Sequence, residues 1–320
     1  MKKYKIIIDT DPGVDDATAL CFALNDPQFD IKLISVSGGN IKIDQAIRNV
    51  CHILDLLDKD VPVVKGYENR LGTSTEYAYH IHGEEGLGNY IPPKTTKHKP
   101  IKKDCADAMY EVLKESPNEV IFVVLGPHTN LANLLKKYPD SKNLIKKVVM
   151  MGGAPGGIKI DPNYKSFNIR TDVEAFEETL KANLDITLCS SKMGRDVTYF
   201  SEEQVNFIKN SSDFGKFLAL TYETYFEPGY DPKILSTCDL TALYFLLYPR
   251  LYKTKKAFVE VDTKEYPGKI TAIYNRKGNF SIIENVNRKK FQKYIFAKFK
   301  EFEKLKIENK TFLKNIKKST

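Results

Sequence analysis

The chain has 320 residues and a mass of 36.5 kDa; 42% of its residues are hydrophobic and 28% are charged, a balance that supports a hydrophobic core and excludes wholesale disorder. Five scattered cysteines without a C-x-x-C pair indicate neither a disulfide framework nor a zinc knuckle. The net charge of +8 is concentrated after residue 288, where 12 basic and 3 acidic residues predict a basic amphipathic helix over about residues 287–318. We expect one cytoplasmic domain spanning residues 1–320, without a signal peptide and without membrane or nucleic-acid partners.

Short apolar runs alternate with longer amphipathic stretches along the first 190 residues. Buried strands are predicted over residues 5–8, 31–36, 61–64, 120–125, 147–151 and 186–189. Helices are predicted over residues 15–25, 43–57, 103–115, 130–137 and 172–181, where apolar residues recur at three- and four-residue spacing. Because strands and helices alternate, we predict an α/β fold with an open, doubly wound, mostly parallel sheet.

The other segments depart from this alternation. Residues 66–100 form a connection that is too long for a simple loop, and such segments are usually part of an active site or a lid. Residues 201–247 have a mainly helical pattern, so the C-terminal part is predicted to be largely helical. Residues 257–261 and 270–274 are predicted to add an antiparallel pair at one edge of the sheet.

Four carboxylates lie within eight residues at the end of the first predicted strand: Asp9, Asp11, Asp15 and Asp16. Like charges this close repel and raise each other's pKa unless a cation neutralises them. Oxygen ligands favour Ca²⁺ or Mg²⁺ over zinc. The alternative is that these acids only cap the following helix, whose first turn contains Asp15 and Asp16.

A strand ending in Asp-x-Asp fits two classes of enzyme. In a phosphatase of the haloacid dehalogenase type, Asp9 would be the nucleophile and Asp11 the acid and base. No downstream Asp-Asp with a separate Lys supports that class. The run D-T-D-P-G-V-D-D instead resembles the N-terminal signature of calcium-dependent, inosine-uridine preferring nucleoside hydrolases. Similar motifs follow in order at S-G-G-N (37–40), H-G-E-E-G-L-G (82–88), L-G-P-H-T-N (125–130), M-M-G-G-A (150–154), F-N (167–168) and C-D (238–239).

This resemblance, over about residues 4 to 300, implies the nucleoside hydrolase fold and a Ca²⁺ ion at the floor of a pocket. The ion would be held by Asp11, Asp16, Asp239 and the backbone carbonyl of Thr129. Asp11 would also be the general base that takes a proton from a calcium-bound water. Water would then attack C1′ of a ribonucleoside as the N-glycosidic bond loosens to an oxocarbenium-like sugar.

The resemblance also implies two sets of residues around the sugar and the base. The residues predicted to bind substrate are Asp15, Asn40, Met151, Ser166, Asn168 and Asp239. The residues predicted to take part in catalysis are Asp11, Asn40, His82, Tyr225 and Cys238. Asn40 and Asn168 suit ribose hydroxyls because a side-chain amide offers both a donor and an acceptor. For each asparagine alone, a turn-forming role is the alternative.

Two departures from the family pattern bear on the substrate. Many members have a Glu that binds the ribose 5′-hydroxyl where this chain has Ser166. Without that acid, and with Lys165 and Arg170 nearby, a 5′-modified or 5′-phosphorylated ribose is an alternative substrate. Cys238 occupies the place of a His that is thought to protonate the leaving base, as it does in another branch of the family.

We expect the Cys238 thiol to fill space rather than to donate a proton. Leaving-group assistance is then assigned to His82 or to one of the tyrosines Tyr222, Tyr225 and Tyr230, because the chain contains no Trp to stack on a purine. The predicted protein is an N-ribohydrolase of nucleoside salvage, a homodimer or homotetramer acting on a small-molecule ribonucleoside. A nucleoside- or ribose-binding relative with little turnover is the alternative.

Overall fold

The structure is a computed structural model that describes residues 3–68 and 77–302. Its strands are β1 (Tyr4–Thr10), β2 (Phe29–Val36), β3 (Val63–Lys65), β4 (Ile121–Val124), β5 (Lys147–Met151), β6 (Ile186–Cys189), β7 (Phe200–Ser201), β8 (Ile234–Leu235), β9 (Tyr252–Val261), β10 (Ile270–Tyr274) and β11 (Phe280–Val286). Its helices are α1 (Val14–Asn25), α2 (Ile43–Leu57), α3 (Tyr79–His82), α4 (Cys105–Glu115), α5 (Thr129–Lys137), α6 (Phe167–Thr171), α7 (Val173–Lys181), α8 (Glu202–Ser211), α9 (Asp213–Tyr222), α10 (Cys238–Phe245) and α11 (Arg288–Phe302).

Nine strands form one sheet in the order β10-β9-β11-β6-β5-β4-β1-β2-β3. Strands β1 to β6 pair in parallel, which confirms the predicted α/β class and the mostly parallel sheet. The chain proceeds from β1 to β2 and β3 on one side, and then returns to place β4, β5 and β6 on the other. The order therefore reverses between β1 and β4, and a crevice opens at the carboxyl ends of these two strands.

Helices cover both faces of this sheet because successive side chains of each strand point to opposite sides. In β1, Ile6 and Ile8 are fully buried in the layer that contains α1, whereas Ile7 is fully buried in the opposite layer with Met109 of α4. Burying a side chain of this size stabilises the fold by about 1.5–3 kcal/mol. The apolar core is thus built from residues within the strands, and polar residues occur at the strand ends.

The segment predicted to be mainly helical, residues 201–247, contains α8, α9 and α10, which confirms the helical C-terminal part. The predicted antiparallel addition is present as β9 and β10, but β11 was not predicted and lies between β9 and β6. It pairs in parallel with β6 and antiparallel with β9. This non-local pairing, rather than a local apolar run, makes residues 280–286 a strand.

The predicted basic helix begins at Arg288, and its described part ends at Phe302; residues 303–318 of the prediction lie outside the described residues. Its apolar side is buried against α1, where the ring centroid of Phe22 lies 5.0 Å from that of Phe299 and 4.9 Å from that of Phe302. Lys298 pairs with the buried Asp26 at 3.3 Å. The helix thus packs on the body as the amphipathic pattern predicts. Within the described ranges, no helix is long and apolar enough to cross a membrane.

Candidate active site

The predicted acidic motif lies where β1 gives way to α1, at the crevice between β1 and β4. Gly13 caps α1, and a Cβ atom there would lie 2.4 Å from His82 Nδ1 and 2.8 Å from Asn40 Nδ2, so only glycine allows these side chains to approach. The Asp16 carboxylate accepts hydrogen bonds from Gly13 N at 3.1 Å and Thr10 Oγ1 at 2.5 Å. The turn thereby holds Asp16 beneath the start of the helix.

Three buried carboxylates from two helices meet at this point. Asp15, Asp16 and Asp239 each present an oxygen, and these oxygens all lie within 4.8 Å of one another. Asp239 belongs to the first turn of α10, and neither of its oxygens has a hydrogen-bond partner among the described residues. Burial raises the pKa of all three carboxyl groups, and neighbouring carboxylates raise it further. A cluster of this kind can hold a metal ion.

Two members of the predicted metal set, Asp16 and Asp239, belong to this cluster, together with Asp15. Asp11 is fully buried beside them and is oriented by a hydrogen bond from Asn40 N to its Oδ2 at 2.8 Å. Its Oδ1 has no partner among the described residues, and burial followed by the Asp16 charge raises its pKa. The buried carboxylates Asp11, Asp15, Asp16 and Asp239 are called the acidic floor below.

Thr129, the fourth predicted metal ligand, is the first residue of α5. Its hydroxyl donates to Asp172 Oδ2 at 2.6 Å, and its carbonyl accepts from Asn133 Nδ2 at 2.8 Å. The structure thus fixes Thr129 firmly at the carboxyl end of β4.

Asp9 has a structural environment. It is fully buried and accepts hydrogen bonds from Ser35 Oγ at 2.6 Å and from Asn130 Nδ2 at 2.7 Å, which tie β1 to β2 and α5. Burial raises its pKa to about 7 despite these two donors. Asp9 therefore ties three elements of the fold together, an environment that favours a structural role over that of a phosphatase nucleophile.

A cavity of about 460 Å³ opens above the acidic floor, a volume within the range of small-molecule sites. Most of the predicted site residues line it: Asp15, Asp16, Asn40, His82, Met151, Ser166, Asn168, Tyr225 and Cys238. The other three, Asp11, Thr129 and Asp239, are buried outside this lining; Asp11 bonds to Asn40, and Asp239 lies within 4.8 Å of Asp15 and Asp16. Residues from six separate motifs of the sequence thus meet around one cavity.

The two asparagines are held with their amide nitrogens already bonded. Asn40 Nδ2 donates to Asp16 Oδ2 at 3.0 Å. Asn168 Nδ2 donates to the carbonyl oxygens of Leu125 and Met151. Leu125 directly follows β4, and Met151 is the last residue of β5. Their amide oxygens remain as acceptors for a ligand hydroxyl.

The candidates for leaving-group assistance have distinct environments. His82 Nδ1 accepts a hydrogen bond from Val14 N at 3.1 Å, which assigns the proton of the neutral ring to Nε2, and burial lowers the pKa of His82 to about 4. The Tyr225 hydroxyl accepts a hydrogen bond from Ser236 Oγ at 3.2 Å and lowers the pKa of the neighbouring Asp15 against the larger effect of burial, and its ring centroid lies 5.2 Å from that of His82. The Tyr222 hydroxyl accepts a hydrogen bond from Thr18 Oγ1, and the Tyr230 hydroxyl donates one to Asp196. Neither tyrosine lines the cavity.

Burial raises the pKa of the Cys238 thiol to about 12, although the nearby Arg195 lowers it. Its Sγ donates weakly to the Ser191 carbonyl at 3.6 Å. A thiol with this environment is a poor proton donor to a departing base. The observation supports the expectation that Cys238 fills space.

A second group of cavity residues was not predicted from the sequence: Tyr164, Arg195 and Glu227. Arg195 Nε lies 3.0 Å from Glu227 Oε2, and the guanidinium lies 5.0 Å above the Tyr164 ring centroid. Arg195 follows the carboxyl end of β6, and that position in the chain was the available signal. These three residues, with Cys238, are called the Arg195 wall below.

The fold and this site define an α/β protein with a buried acidic cluster and a cavity at the carboxyl edge of its sheet. Residues 6–293 match the inosine-uridine preferring nucleoside hydrolase family, and the chain belongs to that family. It is 34% identical over 272 residues to the non-specific ribonucleoside hydrolase RihC of Salmonella enteritidis PT4, a match that covers 84% of this chain and 87% of RihC. Membership confirms the predicted family and the predicted enzyme class, a glycosidase acting on N-glycosyl bonds.

Solved structures agree with this assignment. The plant nucleoside hydrolase PpNRh1 is 26% identical, with a TM-score of 0.85 over 93% of this chain and 99% of that one. The purine-preferring ribonucleoside hydrolase from Gardnerella vaginalis is 25% identical, with a TM-score of 0.86 over 94% of this chain and all of that one. The nucleoside hydrolase fold predicted from the sequence motifs is therefore confirmed.

Proposed function

We propose that this protein hydrolyses the N-glycosidic bond of ribonucleosides to a free base and ribose, and that it uses Ca²⁺ to do so. The observation that carries the proposal is the acidic floor beneath a cavity of nucleoside size, where both Asp239 oxygens lack a hydrogen-bond partner among the described residues. The names of the relatives support ribonucleosides as the substrate class.

The acidic floor fits a hard divalent cation. Its donors are carboxylate oxygens, and their mutual repulsion in a buried site leaves a need for positive charge. Ca²⁺ accepts about 6–8 oxygen ligands in a flexible shell, which suits carboxylates from two helices together with hydroxyls of a sugar. Asp15, Asp16 and Asp239 would hold the ion, with Asp11 and the Thr129 carbonyl beside them. When bound, such an ion supplies Lewis acidity and neutralises the carboxylates.

Asp11 is the proposed general base. Its Oδ2 is fixed by Asn40 N, while its unpartnered Oδ1 is available to accept a proton from the attacking water. Asp15 and the amide oxygens of Asn40 and Asn168 accept hydrogen bonds from the ribose hydroxyls. As the bond to the base lengthens, positive charge grows on the sugar, and the acidic floor stabilises it in the transition state.

His82 and Tyr225 remain the proposed hydrogen-bond donors near the leaving base. The neutral His82 ring can donate from Nε2 but is not a strong acid, because burial keeps its pKa low. Tyr225 reaches the cavity from the segment after α9 and lies next to Asp15, which is proposed to bind the sugar. Both residues orient the substrate in this proposal.

The residues expected near the ribose 5′ end favour a second candidate substrate. Ser166 is buried at the start of α6, and Lys165 and Arg170 line the same cavity. Two cations beside a serine, where many relatives have a Glu, favour a 5′-substituted or 5′-phosphorylated ribose as the alternative. The cytoplasmic location, the role in nucleoside salvage and the homodimeric or homotetrameric state stay predictions from the sequence.

A hydrolysis screen tests the proposed function. Purine, pyrimidine and modified ribonucleosides and their 5′-monophosphates are incubated with the protein in Ca²⁺ and in chelator, and released reducing sugar is measured. We expect release from ribonucleosides in Ca²⁺ and its loss in chelator. Release from 5′-monophosphates alone would move the assignment to the alternative substrate, and binding without release in Ca²⁺ would contradict the proposal.

A further inference from the structure

The turn after β6 brings Arg195 to the cavity by an unusual backbone path. Residues Met193–Val197 form a π-helical turn, a feature that is frequent at functional sites. Gly194 packs against the start of α10, where a Cβ atom would lie 2.4 Å from Cys238 Sγ and 2.5 Å from its backbone nitrogen. Only glycine fits there, so the turn lies directly on α10 and places Arg195 beside Cys238.

The next residue, Asp196, fixes this turn to the rest of the cavity rim. Its carboxylate accepts hydrogen bonds from Tyr230 Oη at 2.5 Å, Lys159 N at 2.8 Å and Lys192 Nζ at 2.9 Å. Three segments are thereby joined at one side chain. Arg195 is held on a preorganised support rather than on a free loop.

The guanidinium of Arg195 is nearly buried and only partly used by the protein. The side chains of Arg195 and Glu227 are 14% and 12% exposed, and both line the cavity. Nη1 lies 3.8 Å from Cys238 Sγ, a weak acceptor. Nε pairs with Glu227 Oε2 at 3.0 Å, and no described residue accepts a hydrogen bond from Nη2. Arg195 therefore keeps strong donors for a ligand in the cavity.

The chemistry of the Arg195 wall suits a nucleobase better than a sugar or a phosphate. The acidic floor and the asparagines supply the acceptors that ribose hydroxyls need, whereas Arg195 supplies donors beside the aromatic ring of Tyr164. Glu227 neutralises the guanidinium charge, so the wall lacks the net positive charge that a phosphate dianion requires. A flat base with a carbonyl oxygen matches both the donors and the ring.

We propose that Arg195 donates a hydrogen bond to a carbonyl oxygen of the base, selecting oxo bases over amino bases and stabilising the base as it departs. The inference rests on the proposed ribohydrolase function. The C1′–N bond breaks with its electron pair on the base, and part of the negative charge moves to the carbonyl oxygen bound by Arg195. Water adds to C1′ and gives its proton to Asp11, and the base anion takes a proton from solvent. A base with an amino group in place of this carbonyl is disfavoured, because the amino group and the Arg195 guanidinium are both hydrogen-bond donors.

The test compares Arg195→Met with the native enzyme on inosine, uridine, adenosine, cytidine and a nitrophenyl riboside. Removing a donor to developing negative charge should lower kcat on inosine and uridine about 10²-fold. Adenosine, cytidine and the nitrophenyl riboside should change less than about threefold. Adenosine and cytidine carry an amino group at C6 and C4, where inosine and uridine carry the carbonyl, and nitrophenolate is already a stable leaving group. The matched control is Lys216→Met, which removes an exposed cation of α9 outside the cavity.

A second variant guards against misfolding. Arg195→Lys keeps the charge beside Glu227 and should recover part of the activity on inosine, and added guanidinium should partly restore Arg195→Met. An equal fall on all five substrates would show a structural role and overturn the proposal, as would a loss confined to 5′-monophosphates. A native enzyme that cleaves none of the five would instead contradict the proposed function, so the two failures are distinguishable.

Discussion

The two sides of the cavity differ in how their buried charges are compensated. The acidic floor gathers four carboxylates, and neither oxygen of Asp239 finds a donor in the described part of the chain. On the Arg195 wall, the guanidinium faces Glu227 at 3.0 Å and the Tyr164 ring at 5.0 Å. One side can therefore hold an external cation, while the charge of the other is balanced by the protein itself.

This difference predicts different behaviour on substitution. Changes in the acidic floor alter the charge that a metal ion and a sugar cation experience, so they act on every substrate. Changes in the Arg195 wall alter contacts with the base, so their effect depends on the leaving group. Each experiment below tests one side against the other.

The largest effect is expected for Asp11→Asn. The amide oxygen can still accept the hydrogen bond from Asn40 N, but the side chain cannot take a proton, so turnover should fall by about 10³-fold or more with the fold retained. Initial rates and circular dichroism measure the two properties. Asp104→Asn, which replaces an exposed helix-capping acid of α4, is the control. Near-native rates in folded Asp11→Asn would remove Asp11 from the role of base.

Removal of the 2′-hydroxyl should have the next largest effect. A 2′-deoxyribonucleoside leaves the acidic floor and its ion without one ligand, so kcat/KM should fall by on the order of 10²-fold relative to the ribonucleoside. The comparison uses one base throughout, which keeps contacts with the Arg195 wall constant. Equal rates on the two sugars would show that the floor does not bind the ribose hydroxyls.

Stability should respond to Asp239→Asn with opposite signs in chelator and in Ca²⁺. In chelator, the substitution removes one of several repelling buried charges and should raise the melting temperature by about 2–4 °C, which corresponds to about 1 kcal/mol for a large domain. In Ca²⁺, it removes a ligand and should reduce the stabilisation that the ion provides. Scanning calorimetry in both conditions measures this. A shift of the same sign in both would contradict a metal site at Asp239.

The sequence predicted the acidic floor far better than the Arg195 wall. Asp11, Asp15 and Asp16 are contiguous in a motif at a strand end, so their proximity follows from local geometry. Asp15 also belongs to the cluster of close carboxylate oxygens. Its membership depends on the orientation of its side chain, which the motif does not predict. Arg195 and Glu227 are 32 positions apart in the chain and meet only through the π-helical turn and the segment after α9.

The same distinction holds for the fold. Strands β1 to β6 were predicted because each is a local apolar run between amphipathic helices. Strand β11 contains Glu284 and Asn285, and it is a strand because β6, about ninety residues earlier, pairs with it. Pairing partners that distant leave little trace in a local pattern.

The smallest effect is expected for Cys238→Ala, which tests whether the thiol is part of the chemistry or part of the packing. Because burial raises its pKa to about 12, we expect the thiol to give no proton to the base. The substitution should then slow inosine and a nitrophenyl riboside together and only a few-fold, through looser packing between Gly194 and the helix that carries Asp239. Parallel kcat measurements on the two substrates decide the matter. If inosine hydrolysis fell 10²-fold while the nitrophenyl riboside stayed at its native rate, Cys238 would be the general acid, and the Arg195 wall would then donate a proton as well as a hydrogen bond.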